Sequence, residues 1–177
     1  MGPVQGESGR GMNTSEIIFL FDYNYWATAR VLSAASRVSA EQFTAPAGLS
    51  HGSLRGTLVH ALGAEMVWRV RCQEGNSPDR LLQEADLSTF AALQARWREE
   101  ERLMRAYLAG LSADDLQRSV RYRSVRGVEF EHTLWQILFH VVHHGTQTRA
   151  EAGVALTAFG QSPGDLDLIL YVRDLGG

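Results

Sequence analysis

Lysine does not occur in this chain, so all 17 of its basic residues are arginines. That excludes a lysine Schiff base or a lysine general base from any chemistry the protein performs. Coding bias in a GC-rich genome is the simplest source of the skew. Cysteine occurs once, at Cys72. No intrachain disulfide can form, and nothing here calls for an oxidising compartment. Cys72 lies within a helical apolar pattern, where a small buried hydrophobe is a simpler reading than a nucleophile. Long apolar runs are also missing, and none approaches the roughly 18 residues of a membrane span. Residues 1–12 lack the apolar stretch of a secretory signal. They read as a flexible leader or a cloning remnant before a single domain over residues 13–177. Excess positive charge is absent as well. A formal net charge of −3 gives a nucleic-acid partner no electrostatic support. The expected location is the cytoplasm, with no membrane or nucleic-acid partner.

The residues that are present describe a soluble globular chain, 45% hydrophobic and 21% charged. Four segments carry helical periodicity. The first covers residues 13–38, opened by the capping residues Asn13, Thr14 and Ser15. Its aromatics, among them Phe21, Tyr23, Tyr25 and Trp26, read mostly as core. Pro46 and Gly48 then mark a loop. The second segment runs from Ser53, a good N-cap, to Glu74, where Gly75 stops it. The third covers residues 88–111. Its apolar stripe is Phe90, Leu93, Trp97, Met104, Leu108 and Leu111, with Arg96, Arg98, Glu99, Glu100 and Arg102 as its solvated face. The fourth covers residues 133–159, and the apolar tail from Asp165 to Tyr171 packs back on the domain. Alternation of Val120, Tyr122, Val128 and Phe130 around Gly127 predicts a small β-hairpin between the third and fourth helices. The expected fold is therefore all-α: an antiparallel four-helix bundle with that hairpin.

Chemistry concentrates in His140-Val-Val-His-His-Gly-Thr-Gln-Thr-Arg149. His140 and His144 are four residues apart, a spacing that lets two imidazoles on one helix share a metal ion. On a helical wheel only His144 faces inward. His140 lies on the flank and His143 points away. His60, in the second helix, falls on a face of small residues with Gly56, Thr57 and Ala64, which leaves room for a ligand or close packing. His51 and His132 read as loop or helix-start residues. Glu65 and Arg149 read as a structural salt bridge or as partners of the ligating side chains.

Four stretches together resemble one family. Leu20-Phe-Asp-Tyr-Asn-Tyr-Trp-Ala27 is similar to the opening helix of the DinB/YfiT family. The stretch Ser53 to Glu65, with Trp68, is similar to its second helix, His140 to Arg149 to its histidine-bearing helix, and Asp165 to Tyr171 to its closing segment. The resemblance implies a divalent metal, zinc or nickel, on three side chains. His60 matches the ligand of the second helix, and His144 the first ligand of the fourth. Thr148 stands at the third position, where the family pattern has His. A neutral hydroxyl is a poor ligand for these metals, so His140, or a carboxylate from Glu151, is the expected substitute. The resemblance also implies a homodimer and a small-molecule thiol as substrate partner. Two functions follow as expectations: a metal-dependent thiol transferase or hydrolase with an incomplete His triad, or a non-catalytic, stress-related or small-molecule-binding bundle with a degenerate site.

Overall fold

Helix α1 (Thr14–Ala35) begins where Asn13 and Glu16 cap each other reciprocally, the Asn13 side chain on the Glu16 N–H and the Glu16 carboxylate on the Asn13 N–H. The computed structural model describes residues 12–124 and 127–176. The expected leader, apart from Met12, and Arg126 of the expected turn lie outside them. A short helix α2 (Ala40–Thr44) follows, then a hairpin of β1 (Pro46–Leu49) and β2 (Gly52–Ser53). This hairpin replaces the plain loop expected from Pro46 and Gly48. Ser53 caps α3 (Leu54–Glu74) through the Gly56 N–H, and Gly75 ends it in the left-handed conformation.

After a single 3-10 turn (Glu84–Asp86) come α4 (Phe90–Ala109) and the short α5 (Ala113–Gln117). Strands β3 (Ser119–Arg123) and β4 (Glu129–Thr133) pair antiparallel, with Tyr122 opposite Phe130, as the alternation predicts. His132 belongs to β4 rather than to a loop. Helix α6 (Leu134–Ala158) and the terminal α7 (Leu168–Leu175) complete the described elements. The protein is thus mostly helical, with two small antiparallel hairpins. None of the described helices is long and apolar enough to cross a membrane.

Helices α1, α3, α4 and α6 carry the core. Helix α6 packs on α1 and α3, and α4 packs on the same two. One apolar cluster includes Phe21, Met104, Leu134 and Leu138; a second includes Val31, Leu62, Leu93 and Leu156. The tail packs back as expected. The Tyr23 hydroxyl donates to the Leu166 carbonyl, and Tyr171 lies against Phe19, Tyr23 and Trp26.

One charged residue departs from the wheel. Glu100, grouped with the solvated face of α4, is 0% exposed. Arg69 of α3 grips it through Nε at 2.5 Å and Nη2 at 3.0 Å. A wheel treats one helix at a time and has no knowledge of an arginine arriving from the next. A two-point guanidinium–carboxylate contact makes such burial tolerable, and loss of one partner leaves the other charge stranded. Arg69→Met should therefore lower the free energy of urea unfolding by about 3–5 kcal/mol. The double variant Arg69→Met/Glu100→Leu should recover most of that loss.

Candidate metal centre

Helices α3 and α6 bring His60 and His144 together across their packed faces. Their Nε2 atoms are 3.0 Å apart. Burial lowers the pKa of His60, with the His51 ring adding to the effect. Burial, and then the charge of His60, depress that of His144 to about 4. Both rings are therefore neutral at pH 7, the form that ligates a metal. Two nitrogens about 2.05 Å from one ion at the tetrahedral angle are about 3.3 Å apart. The observed separation fits two corners of such a site. Both rings line a cleft of about 580 Å³, whose walls include Val67, Trp68, Leu82 and His140.

A third imidazole, which helical periodicity does not reveal, comes from the turn between β1 and β2. His51 stacks on His60 with ring centres 3.7 Å apart and planes 17° from parallel. Two contacts hold that turn. The carboxylate of Glu151 on α6 accepts the Ser50 N–H. On α3, Gly56 lies so close that an added Cβ would meet the His51 carbonyl oxygen at 2.1 Å. Only glycine lets the turn sit there. Its hallmark in sequence is a Ser50-His-Gly-Ser53 turn just ahead of a helix whose third residue is glycine. Parallel rings carry their nitrogen lone pairs in separate planes, so His51 and His60 do not point at a common atom as they stand.

The other expected residues are placed as follows. Thr148 is buried, and its hydroxyl donates within α6 to the carbonyls of His144, at 3.0 Å, and Gly145, at 3.1 Å. Back-bonding of this kind is ordinary for threonine inside a helix. It leaves the third family position without a basic donor. His140 packs its ring against Trp68, 5.2 Å between centres, and lies 6.0 Å from the His144 ring. His143 is exposed and packs on Phe139. Glu151 holds the His51 turn. Among the described residues, no three His, Cys, Asp or Glu side chains converge as a metal site.

Behind the pair lies a buried polar network. Glu65, on α3 and 6% exposed, accepts from the Tyr25 hydroxyl at 2.6 Å and from the Asn24 amide at 3.3 Å. The Asn24 oxygen in turn accepts from Arg149, which also reaches Thr28 and Thr146. Glu65 and Arg149 thus meet through Asn24, not in the direct salt bridge expected. Gly145 makes room, since a Cβ there would meet the Asn24 oxygen at 2.6 Å. Burial pushes the Glu65 carboxyl up to about 7, against the pull of the Tyr25 hydrogen bond.

These features define a class: an all-α domain carrying an inward pair of neutral histidines, from two different helices, in a half-open cleft. The DinB family model matches residues 12–174, and the chain belongs to that family. Among curated proteins, none matches it.

The Glu65 shift makes stability depend on pH. The folded protein holds this proton more tightly than the unfolded chain, whose carboxyl titrates near the ordinary 4.5. Its contribution is full below about pH 4.5 and is lost as pH rises through about 7. At about 1.4 kcal/mol per unit, the loss is on the order of 3 kcal/mol. Glu65→Gln should flatten that part of the stability–pH curve in denaturant titrations between pH 4.5 and 8, whatever its effect on the curve as a whole.

Proposed function

We propose that the protein is a divalent-metal-binding member of the DinB family, built as an antiparallel four-helix bundle, that acts on a small molecule held in the cleft. One observation carries the metal: two neutral imidazoles, from different helices, with nitrogens 3.0 Å apart. In this contact one uncharged ring donates its Nε2–H to the other, and a shift of that proton to Nδ1 frees both Nε2 lone pairs for zinc or nickel. The packing of α1, α3, α4 and α6 on one another supports the bundle. His60 and His144 are two members of the ligand set under this reading. His51 is the third. It already touches His60, and it sits on the two-residue turn Ser50-His51, flanked by Gly48 and Gly52, both at positive φ. Rotation of its ring about the Cβ–Cγ bond turns a nitrogen out of the stacked plane. His140 is the alternative third ligand. Thr148 takes no part.

A divalent ion held there would supply Lewis acidity, polarising a bound water or holding a thiolate. A thiol-dependent transferase or a hydrolase are the activities this chemistry permits, with a small-molecule thiol as the substrate partner of the first. Partial burial by the protein's own residues keeps both rings unprotonated. Exposed Leu168, Val172 and Leu175 along α7 suit a homodimer, and the unpaired Cys72 suits the cytoplasm.

A second reading has its own support. Thr148 bonds to its own helix and offers the pair nothing, as in a degenerate site of a non-catalytic, stress-related or small-molecule-binding protein. Titration of chelator-stripped protein with zinc and nickel, followed by calorimetry and elemental analysis, separates the two. The first reading expects one ion per chain, with affinity reduced at least tenfold in His60→Ala, His144→Ala and His51→Ala, each a lost nitrogen ligand. It expects little change in Thr148→Ala. Weak binding by the parent, greatly tightened by Thr148→His, would establish the degenerate site instead.

A further inference from the structure

Arg71 stands at the far end of the same cleft and is used by nothing described so far. It lies 11 residues after His60 on α3, on nearly the same face, and therefore about 16 Å further along the helix axis. It lines the cleft although only 7% of its surface is exposed. Its guanidinium lies in the corner formed by two aromatic rings, 4.7 Å from the centre of Trp68 and 4.8 Å from that of Tyr122. Trp68 and Tyr122 are themselves in edge contact, 5.0 Å between ring centres. The two rings thus hold the cation from one side, and its N–H groups are the part suited to pairing with a carboxylate.

Those N–H groups are incompletely used. Nε donates to Ser77 Oγ at 2.9 Å, and Nη2 donates to the Arg123 carbonyl at a long 3.4 Å. Of five N–H groups, two are bonded to described residues in this way, and among the described residues no partner is seen for the other three. No carboxylate among the described residues lies within ion-pair distance of Arg71, although the other buried charged pair on α3, Arg69 with Glu100, is fully matched. Cys72 beside it does not supply a negative charge, because burial pushes its thiol up to about 12. Among the described residues the one carboxylate lining the cleft, Glu84, is already held by Arg55 and Ser53. The same cleft is lined by Val59, Val67, Leu81 and Leu82.

From this arrangement we infer that Arg71 is an anion-binding residue, and that the cleft takes an elongated amphipathic carboxylate. The carboxylate pairs with the outer edge of the Arg71 guanidinium, the apolar body lies along the leucines and valines, and the opposite end points toward the histidines. The inference rests on the cleft being the substrate site and is independent of whether metal is bound. A buried cation fixed against two rings loses little freedom when its partner arrives, and its charge-assisted hydrogen bonds form in a largely apolar cleft.

The test uses metal-stripped full-length protein, with 4-phenylbutyrate as probe and neutral 4-phenylbutanamide as its control. Calorimetry should show the acid binding at least about tenfold more tightly than the amide, the scale of one hydrogen bond to a charged group. Arg71→Met keeps the length and apolar contacts of the stem, and should remove that preference. The double variant His60→Ala/His144→Ala should retain it. Equal affinity for acid and amide would overturn the inference, as would a preference unaltered in Arg71→Met or one lost only in the histidine variant. Should Arg71→Met fail to fold, the parent alone decides. The indole N–H resonance of Trp68 should shift with the acid and far less with the amide, and equal shifts would overturn the assignment. Failure of metal binding leaves all of these outcomes unchanged.

Discussion

The hydrogen bonds around Asn24 set the geometry on which the rest of this molecule depends. Asn24 and Tyr25 on α1, Glu65 on α3 and Arg149 on α6 form one continuous buried network. A polar group sealed from water is costly unless it is bonded. Each of the three helices can therefore satisfy its own buried group only in one axial register and one rotation relative to the others. Apolar packing alone would tolerate small slides, because leucine against leucine is nearly as good one methylene along. The network does not tolerate them. His60 lies about 1.4 turns before Glu65, and His144 the same distance before Arg149, so the same constraint places the two imidazoles against each other.

Small residues convert that register into a cleft. Gly145 admits Asn24 and Arg149, and Gly56 admits the turn that carries His51. The N-cap of α3 is tied in as well, since Ser53 both caps the helix and donates to Glu84, which Arg55 also holds. The upper rim of the cleft is thus built from the first turn of α3, the 3-10 turn and the first hairpin. Its opposite end is built from aromatic rings of α3 and the second hairpin. Three imidazoles gather near one end and an arginine without a carboxylate stands at the other, with apolar side chains between. Such polarity along a groove is the usual means by which a site fixes the direction of its ligand.

Much of this was legible in the sequence, and the failures share a cause. The helical segments, the Ser53 cap, the second hairpin and the inward faces of His60 and His144 all follow from periodicity and capping within a single element. What periodicity cannot report is a relation between elements. His51 sits in a turn, and its partner is fixed by a backbone approach that only Gly56 permits. Glu100 falls on a charged arc of α4 and is buried because Arg69 arrives from α3. Asn24 joins Glu65 to Arg149 across three helices, and no spacing along the chain encodes that. Thr148 was visible as a departure from the family pattern, but the direction of its hydroxyl was not.

The single thiol has a consequence of another kind. Cys72 is 2% exposed, and its carbonyl is clasped by the Arg118 guanidinium and the Tyr107 hydroxyl. It sits where α3, α4 and the segment leading into the second hairpin converge. An alkylating reagent can reach it only when that junction parts, because the thiol is both covered and strongly acid-weakened in place. The protein therefore carries an internal clock for its own breathing. The rate at which one sulfur takes up a label counts the openings at the junction beside Arg71, with no probe grafted onto the chain.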